Sequence, residues 1–470
     1  MSVSRILRHA QGVSLLKPFP FGRFEEGECV ILENNLERVK SGDCQAMNSN
    51  IFTESSPISC LPGSVGSPGG IPNERATRVP ADGVETAVAL GPITLLQPGK
   101  IIFGNGSVAT LAAELAARGV RKVLVVTSPG VIKSCGDVLS KLEESGVRTK
   151  VYAEINAEPT VQMFEACLRV AREQPLDGIV GLGGGSPMDV AKLVAALATG
   201  MQSVQDVFGI NLLHGRRLFL ACLPTTSGTG SEVSPNAILL DESCQLKKGV
   251  ISPHLVPDVT CVDPLLTCSV PPAITAATGL DALTHCIEAY ANRFAHPTVD
   301  LYALQGIRLI SQNLLAAIAD GQDTAARANL ALGSLYGGLC LGPVNTAAVH
   351  ALAYPLGSEF HIAHGISNAV LLPHVLRFNL PAMPERYAHI AVALGAKSAR
   401  SPTATAERGI ERLDYLMARC PMQRRISEFN VPQEALPRLA KAALTVTRLL
   451  KNNPRTLTEQ DALQIYHAAW

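Results

Sequence analysis

From Pro92 onward the chain alternates short, continuous apolar runs with longer segments whose apolar residues recur every three or four positions. KIIFGNG reads as a strand and a Gly turn, and VATLAAELAARG as an Ala/Leu-rich helix ended by Gly119. KVLVVTSPG is an apolar run stopped by Ser, Pro and Gly, and a helix is expected after it, through Leu142. VYAEIN then predicts a strand, TVQMFEACLRVAREQ a helix and DGIVGLGGG a third apolar strand. Strands without polar alternation, separated by helices, are what a parallel sheet covered on both faces requires.

The period changes after about Pro271. ITAATGLDALTHCIEAYA, VDLYALQGIRLISQNLLAAIA, AARANLALGSLYGGLCLG, PERYAHIAVALGA, GIERLDYLMARC and EALPRLAKAALTVTRLL all predict helices, with no internal repeat. The expected architecture is an α/β domain with a parallel sheet over 92–270, then an all-helical domain over 271–470, with a cleft between them. Residues 1–91 show neither periodicity and include SSPISCLPGSVGSPGGIP, so they are read as a low-complexity or disordered extension. Arg5, Arg8, Lys17 and Arg23 precede the first acid, Glu25. Such a start reads as a mitochondrial presequence or as a plain tail; the tail is preferred, which makes the protein cytoplasmic.

Composition narrows the partners. Lys+Arg 40 balances Asp+Glu 40, and aromatics are only 4%, so neither the charge nor the stacking platforms for nucleic acid are present. The 12 Cys are scattered without a CxxC pair, as small thiols in a reducing compartment would be. The apolar stretch over 363–372 is interrupted by His364 and followed by Pro373, and nothing reaches the roughly 18 apolar residues of a membrane span.

Two loops carry candidate binding chemistry. After the strand DGIVGL, residues Gly183, Gly184, Gly185 and Ser186 lead into a helix with Pro187 in its first turn. The Gly backbone and the free N–H groups of the helix start suit a pyrophosphate, with Asp189 capping or facing the ligand. This is neither GxGxxG nor a P-loop. The second loop, LPTTSGTGSEVSPNAIL, presents Thr225, Thr226 and Ser231 among its hydroxyls. Two such loops after apolar strands fit a ligand at the carboxyl edge of one sheet.

In the helical part, Asp281 and His285 stand i and i+4, on one face of a helix. His350, His361 and His364 follow in VHALAYPLGSEFHIAHG. One carboxylate with two or three imidazoles suits Fe(II), Zn or Mn with a position left for substrate oxygen.

These segments also carry a resemblance. GGGSPMDVAK, LPTTSGTGSEVSPNA, TAATGLDALTHCIEAY, the stretch from His350 to His364, GISNAVLLPHVLRFN and NNPRTLTEQDALQIYHAAW, in this order, resemble the iron-containing (group III) alcohol dehydrogenase family. The resemblance implies a dehydroquinate synthase-like architecture: a dinucleotide-binding domain followed by a helical metal-binding domain. It implies Fe(2+), with Zn or Mn as substitutes, held by Asp281, His285, His350 and His364. It also implies NAD or NADP on Gly183, Gly184, Gly185, Ser186, Asp189, Thr225 and Thr226, with Ser231, Asn156 and Ser128 nearby.

The activity implied is hydride transfer between a primary or small alcohol, or its aldehyde, and NAD(P), in a homo-oligomer. Reduction of hydroxy-acid, semialdehyde or maleylacetate-type substrates is the alternative. The metal-proximal motifs are mainly apolar, with Arg377 the nearest basic residue in sequence, which leans toward a neutral alcohol. Two departures stand out. Ser128 occupies the place where many NAD-using relatives have Asp, so the repulsion of a 2′-phosphate is missing and NADP(H) is at least as well suited. Tyr354 stands where several relatives carry a further His, which leaves Tyr354 and His361 as the proton-relay candidates.

Overall fold

A computed structural model describes residues 91–470 except Gln245; the basic start and the low-complexity segment lie outside the described residues. Six strands form one parallel sheet: β1 (Lys100–Phe103), β2 (Lys122–Val126), β3 (Arg148–Tyr152), β4 (Gly178–Gly183), β6 (Phe219–Pro224) and β9 (Val259–Val262). Their order is β1-β9-β6-β4-β2-β3. Alternate residues serve the two faces. Val123 and Val125 pack with α1 (Val108–Ala117) and α3 (Gly136–Glu144), while Leu124 and Val126 pack with α4 (Val161–Arg172) and α5 (Gly185–Leu197). Both faces are therefore dry, and the continuous apolar runs have their reason.

Three local differences from the sequence reading have physical causes. The third strand lies over Arg148–Tyr152, earlier than VYAEIN, because RTKVY pairs residue for residue with KVLVV, leaving Ala153–Asn156 as loop. The helix expected through Leu142 is split into α2 (Pro129–Ser134) and α3, with the break at Cys135 before Gly136. A second, three-stranded sheet of β5 (Gly209–Ile210), β7 (Asn236–Asp241) and β8 (Leu246–Ile251) was not anticipated.

From Pro272 the described chain is helical: α6 (Pro272–Tyr290), α7 (Pro297–Ala319), α8 (Thr324–Leu341), α9 (Ala348–Phe360), α10 (His364–Asn379), α11 (Pro384–Ala393), α12 (Pro402–Met417), α13 (Leu436–Ala443), α14 (Thr447–Leu450) and α15 (Glu459–Ala469). The last apolar segment before NNPR, expected as one helix, is broken into α13 and α14 around Thr445. A parallel-sheet layer followed by a helical part is the fold class expected from the sequence. No helix among the described residues is long and apolar enough to cross a membrane.

Two glycines let backbones approach closely, one between the sheet and the helical part and one between two helices. Gly230, in the loop after β6, has φ +62° and a Cβ there would lie 2.3 Å from the Cα of Gly338 on α8. Gly365 opens α10 against α6, where a Cβ would meet the Ala277 carbonyl oxygen at 2.3 Å. Neither place has room for a methyl group. Gly230→Ala is expected to destabilise the fold by roughly 2–4 kcal/mol, through overpacking plus a left-handed backbone. Urea unfolding with an unchanged m-value checks this; a shift of less than about 0.5 kcal/mol would contradict it.

Candidate functional site

Helix α6 carries Asp281 and His285 one turn apart on the face that meets α9 and α10. His350 comes from the first turn of α9 and His364 from the first residue of α10. The Asp281 Oδ1 atom lies 3.9 Å from His285 Nε2, 3.6 Å from His350 Nε2 and 3.8 Å from His364 Nε2. Donors around one ion with bonds of about 2.1–2.3 Å would stand roughly 3.4–3.8 Å apart in a tetrahedral arrangement, so the spacing fits. The ligand atoms of Asp281, His285 and His350 all fall within 4.8 Å of one another, and these three residues are buried. His364 joins from the cleft side, with 34% of its side chain exposed.

Electrostatics organise the cluster. Burial alone would raise the Asp281 carboxyl, yet the surrounding imidazoles hold it well below the usual carboxylate range. Burial disfavours the charged form of His285 and lowers its pKa, leaving a neutral ring able to donate a lone pair. The outermost imidazole, His364, is pushed down to about 3 by desolvation in the cleft, reinforced by His350 and Lys247 against the pull of Asp281. His350 differs. Its Nδ1 lies 2.6 Å from Glu288 Oε2, and Glu288 Oε1 accepts the Val349 backbone N–H at 2.6 Å. Burial opposes its protonation, but Glu288 and Asp281 on either side prevail and push it up to about 10. With Nδ1–H donated to Glu288, Nε2 is the nitrogen aimed at Asp281, the orientation a metal ligand needs.

The two Gly-rich loops lie side by side at the carboxyl ends of β4 and β6, where Thr225 N–H donates to the Gly183 carbonyl at 2.9 Å. Gly184 caps α5. One cleft of about 650 Å³ is lined by Gly185, Ser186, Asp189 and Ser231 together with Asp281, His285, His350, His364, Tyr354 and His361. The Gly183–Ser186 loop and the Asp/His cluster thus share a cavity. Asp189 is already engaged, accepting from Ser231 Oγ at 2.5 Å and from Ile238 N–H at 2.9 Å, so it staples α5 to the segment after β6.

Gly183, Gly184, Thr225 and Thr226 lie behind the cleft surface in the same loops, while Asn156 and Ser128 lie outside its lining. Ser128 follows β2, the neighbour of β4, and caps α2. His361 ends α9 with a left-handed backbone, φ 54°, and an exposed side chain.

Four residues escaped the sequence reading. Glu288 follows His285 by three positions on the same helix, and Asn368 follows His364 by four, so helical spacing could have found both. Lys247 and Arg448 also line the cleft, and nothing local announces them. Arg448 Nη2 donates to the Tyr354 hydroxyl at 2.8 Å, and Lys247 pairs with Glu158. Arg377, by contrast, sits on an exposed helix end paired with Asp414, so its distance in sequence said nothing about the charge of the cleft.

Comparison with known proteins agrees with this geometry. Family models described as "Iron-containing alcohol dehydrogenase" and "Fe-containing alcohol dehydrogenase family, C-terminal" match residues 98–264 and 275–470. The chain is 41% identical to long-chain-alcohol dehydrogenase 1 of Geobacillus thermodenitrificans, over 78% of this chain and 94% of that protein. It is 33% identical to the NAD-dependent methanol dehydrogenase of Bacillus methanolicus, over 78% of this chain and 97% of that one. A crystal structure of 1,3-propanediol oxidoreductase superposes with a TM-score of 0.79 at 34% identity, covering 81% of this chain and 100% of the other.

The raised pKa of His350 has a consequence for ion uptake. Near pH 7 the ion-free ring holds a proton that an incoming cation must displace. Apparent affinity for Fe(II) or Zn(II) should therefore rise about tenfold per pH unit above 7, levelling near the His350 value, with about one proton released per ion. Calorimetry in buffers of different ionisation enthalpy measures this. Affinity independent of pH, without proton release, would contradict it.

Proposed function

From membership of the iron-containing alcohol dehydrogenase family, to which this chain belongs, we propose that it interconverts small primary alcohols and their aldehydes using Fe(2+) and either NAD(H) or NADP(H). The enzyme is a metal-dependent, nicotinamide-linked oxidoreductase of alcohols and aldehydes; the metal, the cofactor preference and the substrate size are the proposed part. The observation that carries it is the single cleft lined by the Gly185–Ser186 turn and by the Asp281–His285–His350–His364 cluster.

Asp281, His285, His350 and His364 would hold the divalent ion, which when bound supplies Lewis acidity at the substrate oxygen. The rest is done by the chain. Glu288 keeps the Nε2 of His350 turned inward. The Gly-rich loops would bind the pyrophosphate through backbone N–H groups and so lay the nicotinamide against the carbinol carbon, as hydride transfer at near-contact distance requires. The nicotinamide, when bound, would supply the hydride acceptor for oxidation, which leaves the chain to carry away the hydroxyl proton. Tyr354 accepts from Arg448, so its own O–H is free to bond the substrate oxygen. His361, on the exposed rim, would pass the proton on to water. Fe(2+) suits this mixed set of three imidazoles and one carboxylate, with Zn or Mn as substitutes. A homo-oligomer and a cytoplasmic location complete the reading.

Arg448 and Lys247 in the cleft favour a second reading, in which the substrate carries a carboxylate, as a hydroxy acid or semialdehyde does. One panel separates the two: purified protein kept from oxygen, reloaded with Fe(II), Zn(II) or Mn(II), assayed on neutral and carboxylated alcohols and aldehydes with each cofactor. The first reading predicts metal-dependent turnover greatest on neutral alcohols. Turnover confined to carboxylated substrates would replace it with the second, and none on any alcohol or aldehyde would contradict both.

Two variants sharpen the proposal. If Ser128 stands by the adenosine ribose, as the family resemblance implies, Ser128→Asp would set a carboxylate against a 2′-phosphate and should lower kcat/KM for NADP+ at least about tenfold relative to NAD+. An unchanged ratio would remove Ser128 from cofactor choice. Tyr354→Phe keeps the ring and removes the hydroxyl, so kcat should fall by roughly 100-fold with little change in KM. Near-wild-type kcat would reduce Tyr354 to a wall of the pocket.

A further inference from the structure

Asn368 lies on α10, one turn beyond His364, and is fully buried. Its Nδ2 is 2.7 Å from Asp281 Oδ1, 3.1 Å from His350 Nε2 and 3.2 Å from His364 Nε2. One amide nitrogen therefore touches three of the four candidate ligand atoms. A residue that merely filled the helical core would be apolar here, as Leu371, Leu372 and Val375 on the same helix are. The neighbours also fix which way the amide faces. A carboxylate oxygen can only accept, so the N–H side must point at Asp281 Oδ1. The cost appears on the other side, where Asn368 Oδ1 is buried without a hydrogen-bond partner. A buried carbonyl left unpaired signals that the opposite end of the amide is the end that matters.

The backbone delivers this contact. Gly365 lets the start of α10 press against Ala277 on α6, and one turn further along each helix Asn368 meets Asp281.

From these contacts we propose that Asn368 is a positioning residue of the metal centre. Its N–H holds the Asp281 oxygen that faces all three imidazoles, so the carboxylate offers the ion one oxygen. Its amide also closes the face bounded by Asp281, His350 and His364. The position left for substrate oxygen then opens only toward the cleft, where Tyr354 stands. This rests on reading the cluster as an ion site. Without Asn368 the carboxylate is free to turn its second oxygen inward, and water gains the uncovered face.

Asn368→Leu, close in size but without a donor, tests this in the full chain loaded with Co(II), whose visible absorption reports the number and geometry of its ligands. The variant should keep its fold by circular dichroism and lose about 10–100-fold in Co(II) affinity, the usual penalty for removing a partner of a ligand. Its absorption should weaken toward the form given by higher coordination, as a further oxygen enters. Asn368→Ser, whose hydroxyl is too short to reach Asp281, should behave the same way and serves if the leucine variant does not fold. Wild-type affinity and spectrum in a folded variant would overturn the proposal. Failure of the wild-type chain to bind Co(II) would instead overturn the ion-site reading beneath it, and the two failures are told apart by which protein shows them.

Discussion

The arrangement of the helical part turns on one buried carboxylate. Asp281 is 2% exposed, and an isolated charge at that depth would be neutralised or would destabilise the fold by several kcal/mol. It remains ionised because three imidazoles and the amide of Asn368 converge on its Oδ1. They arrive from three helices, so α6, α9 and α10 must pack in one register to satisfy it. Glu288 extends the same logic one layer outward by fixing His350. A cluster that keeps a carboxylate ionised in the core beside a protonated His350 is also one that welcomes a cation in place of that proton.

The sheet meets that centre through loops rather than through strands. Gly230 rests against Gly338, and the backbone of Gly228 lies beside His285, so the loop after β6 touches the helical part at the level of the cluster. The same loop lies against the Gly184–Gly185 turn, where a Cβ on Gly185 would come within 2.9 Å of Thr229. The proposed dinucleotide and ion sites thereby lie on two sides of one piece of backbone. This explains why the hydroxyl-rich loop is also rich in glycine, since its neighbours leave no room for side chains at those positions.

Much of this could be read from the chain. Continuous apolar strands announced the parallel sheet, and the change to a three-to-four-residue period near Pro271 announced the helices, because both patterns follow directly from burial. Asp281 and His285 were legible as a helical pair. His350 and His364 were legible only as candidates, since no local spacing relates α9 and α10 to α6; it took the family resemblance to join them. The strand shift at RTKVY and the small second sheet were hidden because partly polar strands resemble loops. Lys247 and Arg448 were hidden for another reason. They reach the cleft from a β-strand and from a short helix near the C-terminus, and only tertiary packing makes them neighbours of Tyr354.

The central claim is that Asp281 and its three imidazoles share one cation. X-ray absorption at the metal edge, on protein loaded with a single equivalent of Fe(II), addresses it without reference to turnover. The account predicts a first shell of nitrogen and oxygen only, near 2.1 Å, with the outer-ring scattering of about three imidazoles, all lost together in Asp281→Ala. A shell containing sulfur, or one with a single imidazole, would place the ion elsewhere and contradict the account.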